Sequence, residues 1–180
     1  MRTIGKTSAL AVTAALTSAA IVLGVIDGLL PRPLPFVKLG LANVVTVVAV
    51  VRRGAATALA VNITRATVVS VVMGTVATPT FLLSLGGSTA SALSMAAASL
   101  LFPRLISVVG VSITGALSSL LVQLAVASLI LPGLPVGTLA PILAGWGCVS
   151  GALVGIVANV MLRRRALAPL LGVAQPDGVG

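Results

Sequence analysis

Apolar runs of about 18 residues or more recur along this chain, and no other feature of the sequence restricts its fold so strongly. A run of that length crosses a hydrocarbon core about 30 Å thick as a helix, because a helix satisfies its own backbone hydrogen bonds. A membrane β-barrel would show short segments of alternating hydrophobicity, and these are absent. With 58% hydrophobic and 7% charged residues among 180, polar surface is too scarce to cover a water-soluble globule. The expectation is an all-α polytopic membrane protein of six transmembrane helices. Residues 1–165 form its single domain and residues 166–180 a loose cytoplasmic tail.

The first run, residues 8–26, follows Arg2 and Lys6 and exceeds the apolar core of a signal peptide, about 7–15 residues, so it reads as a retained helix. Ala11, Ala15 and Ala19 form one stripe of small residues on it, and Ala20, Gly24 and Gly28 an adjacent one. Either stripe lets a helix approach closely, within the bundle or from a separate membrane subunit. The second run, residues 39–51, ends at Arg52-Arg53 and would make only about 20 Å of helix at 1.5 Å per residue. Either Lys38 snorkels outward or the preceding segment dips into the membrane domain, and the second reading is preferred. Further runs cover residues 55–73, 81–102, 106–131 and 139–162, the last carrying Gly147, Gly151 and Gly155 as a stripe for tight packing.

Polar residues inside these runs are the candidate site. Arg65 falls near the middle of the third run with Asn62 one turn earlier; a mid-bilayer arginine costs about 2.5–3.5 kcal/mol on insertion scales, so it should face the interior and find a partner, ligand or water. Ser84, Ser88 and Ser91 share a face of the fourth run, and Ser112, Ser119 and Gln123 one side of the fifth. A buried amide such as Gln123 needs hydrogen bonds, from another helix or from a substrate. Between the first two runs, residues 31–43 hold three prolines within five residues, with Arg32 and Lys38 following Asp27. This stiff polar stretch reads as a mouth or lid over a cavity. The lone Cys148 permits no disulfide within the chain and is expected to pack.

Charge sets the expected topology. Arg2 and Lys6, Arg52 and Arg53, Arg104, and residues 163–165 alternate across successive spans, which places both termini in the cytoplasm and the chain in the plasma (inner) membrane. Arg32 and Lys38 then lie outside against the positive-inside bias, and attraction of an anionic solute explains them. The net charge of +9 does not indicate nucleic acid, since the basic residues sit at run ends without interleaved aromatics. No histidine or tyrosine is present, and Asp27 and Asp177 are the only acids. Paired carboxylates, an activated nucleophile or a metal site lack their residues, so no enzyme activity, metal or cofactor is expected.

The string Val37-Lys38-Leu39-Gly40-Leu41-Ala42-Asn43 after a proline-rich loop resembles the signature of the Gx transporter family, also called heptaprenyl diphosphate synthase component I. The resemblance continues through Leu85-Gly86-Gly87, Gly110-Val111-Ser112, Gly115-Ala116, Gln123, Ala144-Gly145 and Gly151. It departs where the family pattern has a His-Asn pair before the glutamine and this chain has Ser119-Leu120. The family is similar to the substrate-binding S components of energy-coupling factor (ECF) transporters. That resemblance implies a six-helix bundle that binds a small solute from outside and docks on a transmembrane coupling subunit energised by ATPases. It makes Ala11, Ala15 and Ala19 docking candidates. It makes Asp27, Lys38, Asn43, Arg65 and Gln123 candidates around the substrate cavity, beside Arg32 and Asn62 from the reading of the residues. The family's other name implies an alternative, a noncatalytic membrane subunit of a polyprenyl diphosphate synthase.

Overall fold

A computed structural model describes residues 2–30, 40–102 and 104–163, and within them every regular element is a helix. They are α1 (Arg2–Leu29), α2 (Asn43–Arg53), α3 (Ala55–Val72), α4 (Pro79–Ser99), α5 (Val108–Ile130) and α6 (Val136–Arg163). All but α2 are long and apolar enough to cross a membrane. Their outer faces carry exposed large apolar side chains such as Leu10, Leu82, Leu93, Leu121 and Leu153, as expected where the surroundings are lipid. Cys148 also lies on this exposed surface, which corrects its expected packing role: its position on α6 turns it outward.

The short second run becomes the core of the bundle. Its 11 residues give about 16 Å of helix, half of a hydrocarbon core. Every residue from Val44 to Val50 is buried, because α2 touches all five other helices. A helix that is apolar all round requires this position. Gly40 enters it in a left-handed turn (φ 72°), and Gly54 (φ 87°) alone joins α2 to α3, a conformation in which a Cβ would be strained. The expected dip of the mouth into the bundle lies mostly outside the described residues. Its end does not: Ala42 is completely buried.

Around α2, the chain forms a line of neighbours, α1 on α3, α3 on α4, α4 on α5 and α5 on α6. The expected glycine stripe packs α6 onto α5: a Cβ at Gly155 would meet the Val109 Cα at 2.6 Å, and one at Gly151 the Ile113 Cα at 2.9 Å. On α1, Ala20 is buried and Gly24 and Gly28 pack on Val69 and Arg65 of α3 and on Met73 just beyond it, whereas Ala11, Ala15 and Ala19 are exposed. The two small-residue stripes thus divide, one holding the bundle together and the other facing out.

Short connections set the ends. The start of α1, the α2–α3 link, the α4–α5 link and the end of α6 share one end, where the Arg52 guanidinium donates to the Leu162 carbonyl at 2.9 Å and supplies a terminal carbonyl of α6 with a partner. The half of the bundle nearest this end is dry, filled by Val12, Leu16, Val47, Met95, Val108 and Val154 with Phe102, Ile106 and Met161 packed against them.

Candidate functional site

The opposite half holds a polar chamber of about 250 Å³, and all six helices contribute to its wall. The end of α1 brings Asp27; α3 brings Arg65 from its middle and Ser70 from its last turn, with Met73 just beyond; the start of α2 brings Asn43; α4 brings Thr80, Ser84 and Ser88; α5 brings Ser112, Ser119 and Gln123; and α6 brings Ser150 and Gly151. Among the described residues no aromatic side chain lines it. Burying so many polar groups inside an apolar bundle carries a cost unless they meet partners, and the protein supplies some of these and withholds others.

Arg65 is the group left least satisfied. Its Nε is buried with no hydrogen-bond partner, and among the described residues nothing accepts a hydrogen bond from the rest of its guanidinium. Asp27 of α1 is close enough to attract it electrostatically. The side chain fits because α1 has glycine opposite: a Cβ at Gly24 would already stand 3.6 Å from the Arg65 Cγ and Cδ. Val69 and Met73 continue the Arg65 stripe at helical spacing, so this face of α3 turns to the chamber as a unit.

Gln123 is held from within its own helix, Nε2 donating to the Ser119 carbonyl at 3.1 Å and to Ser119 Oγ at 2.9 Å. Neither of the two partners expected for it, another helix or a substrate, is needed for that half of the amide. Its Oε1 has no hydrogen bond among the described residues and is left for the chamber. Gly87 of α4 makes the space, since a Cβ there would lie 2.8 Å from Gln123 Nε2. The double glycine at 86–87 therefore marks a close approach within a continuous α4. Ser112 Oγ, also on the wall, is buried without a partner.

Asn62 stands apart from the other candidates. It is fully buried and off the chamber wall, its Nδ2 donating to the Ser88 carbonyl at 2.7 Å and its Oδ1 accepting from Thr46 Oγ1 at 3.4 Å. Its amide is spent on joining α2, α3 and α4, so the structure assigns it to the scaffold beside the site. Arg32 and Lys38 lie outside the described residues. Asp27, Asn43, Arg65 and Gln123 come together around one cavity, as do Ser84, Ser88, Ser112 and Ser119. Ser70, Thr80 and Ser150 join them without having been singled out in the sequence. Serine and threonine in membrane helices usually bond their own backbone, so only their turn position relative to Arg65 or Gln123 could have pointed to them.

Among the described residues no three cysteine, histidine or carboxylate side chains gather to hold a metal. Among the described residues the chamber's chemistry is hydrogen bonding around Arg65. A profile of the heptaprenyl diphosphate synthase component I family matches residues 16–161, which includes nearly all of the wall. Comparison with curated proteins and with solved structures gives no match.

Proposed function

Because this chain belongs to the heptaprenyl diphosphate synthase component I (Gx transporter) family, we propose that it is a membrane-embedded solute-binding subunit, similar to the S component of an ECF-type importer. Its chamber takes up a small anionic solute from the outer face. The observation that carries this reading is Arg65, a guanidinium without a hydrogen bond among the described residues, placed on the wall of a polar chamber inside a membrane bundle. A buried cation that the fold leaves unsatisfied is costly, and an anionic ligand removes that cost. The chamber lies toward the end away from Arg52, Arg104 and Arg163, which the positive-inside bias would make the outer end, with both termini cytoplasmic.

Energy would come from a partner. The exposed Ala11, Ala15 and Ala19 offer a transmembrane coupling subunit a close approach, and the associated ATPases would drive release inward. On this reading the chain is not an enzyme. The family's description favours a second reading, a noncatalytic membrane subunit beside a polyprenyl diphosphate synthase.

Isolation of the tagged full chain from its own membranes tests the two. Recovery with an ATP-hydrolysing complex is the expected result. Recovery with a soluble prenyl synthase and no ATPase contradicts the transport reading.

A further inference from the structure

Resting on the reading of the chamber as a solute site, we infer that Gln123, held by Ser119, is a fixed hydrogen-bond acceptor on the wall. The solute accordingly carries a hydrogen-bond donor, a hydroxyl, amide N–H or ammonium, apart from the group that meets Arg65.

A glutamine amide offers a donor at one end and an acceptor at the other, and a half-turn of its last torsion exchanges the two. On α5 that choice is made locally. Both contacts of Gln123 Nε2 run back one turn, to the Ser119 carbonyl at 3.1 Å and to Ser119 Oγ at 2.9 Å. A carbonyl only accepts, so the group against it is the amide nitrogen; the reversed amide would set two oxygens together with no proton between them. The Ser119 hydroxyl adds a second acceptor for the same nitrogen. From the other side α4 presses on the pair, since a Cβ at Gly87 would lie 2.8 Å from Nε2 and 2.9 Å from Ser119 Oγ.

Oε1 is thereby turned away from its own helix. It accepts nothing among the described residues and stays accessible on the chamber wall. Arg65 is its chemical opposite, a group that only donates. Because α4 stands between α3 and α5, Arg65 and Gln123 face the chamber from different sides, and one ligand atom does not serve both. A solute made of acceptors alone would satisfy the guanidinium and, on displacing water, strand Oε1 without a donor. A solute with a donor at a distance from its anionic group satisfies both, which makes Gln123 a specificity-determining residue and Ser119 a positioning residue.

Thermal unfolding of the full chain in nanodiscs tests this with two probe sets, butyrate in terminally hydroxylated, methoxylated and unsubstituted forms and propyl phosphate in the same three forms. Native mass spectrometry of the gently extracted protein accompanies it, the exchangeable hydrogens of any released adduct being counted by deuterium exchange. In whichever set binds, the hydroxylated form should bind roughly 5- to 150-fold more tightly than the other two. Gln123→Leu should bring the three forms to within about twofold of one another while Arg65-dependent binding continues, and Ser119→Ala should narrow the preference. A native adduct should carry at least one exchangeable hydrogen outside its acidic group. Equal binding of the three forms to the unsubstituted protein, a preference that survives Gln123→Leu, or an adduct whose only exchangeable hydrogens are acidic overturns the donor requirement and leaves the chamber a solute site. A preference unchanged in Ser119→Ala overturns the holding role of its hydroxyl. No shift with any probe together with no adduct overturns the reading of the chamber itself.

Discussion

Arg65 makes a prediction that separates a ligand group from a structural one. Since Arg65 makes no hydrogen bond among the described residues, Arg65→Ala should cost the ligand-free protein no more than the loss of its attraction for Asp27, offset by removal of a desolvated charge. Solute affinity should fall by about 1.5–3 kcal/mol, roughly 10- to 150-fold. A marked loss of stability in the ligand-free protein would make Arg65 a structural residue. Asn62→Ala should do the reverse, costing about 1–3 kcal/mol by stranding the Ser88 carbonyl and Thr46, as read by thermal unfolding. These two residues also mark what a sequence can disclose. Both are polar groups in one apolar run, so both had to turn inward. What divides them is that Asn62 meets Thr46 and Ser88 on other helices whereas Arg65 meets no hydrogen-bond acceptor among the described residues, and partners distant in sequence are not readable from one run.

At the level of elements, helix type and small-residue periodicity were legible because they are local. The glycine stripe of α6 packs as its spacing implied. Gly155→Leu should therefore force α6 from Val109 and cost at least about 1–3 kcal/mol, while Gly145→Ala, with nothing near its Cβ, should change stability little. Equal effects would contradict the packing described. The alanine and glycine stripes of α1 looked equivalent in sequence, and only the tertiary arrangement turns Ala11, Ala15 and Ala19 out. Ala15→Leu should accordingly leave unfolding unaffected and reduce recovery of a coupling partner; if the partner is retained in full, the stripe is not its contact. The shortness of α2 was visible, but its central place was not, since it follows from contacts with five helices at once.

For the whole molecule, the sequence indicated a helical membrane bundle, and its division into a dry half and a polar half emerges from where each run's few polar residues fall once the helices alternate. The arginine-bearing end should face the cytoplasm. In a Cys148→Ser background, an impermeant thiol reagent should label Val76→Cys, in the α3–α4 link, from outside intact cells, and Arg104→Cys only after permeabilisation; the opposite pattern would invert the topology. Most direct for the account is native mass spectrometry of the gently extracted full chain beside its Arg65→Ala variant. A small anionic adduct is expected on the first, and its loss from a folded second. An adduct that persists without Arg65, or a chamber empty in both, would contradict it.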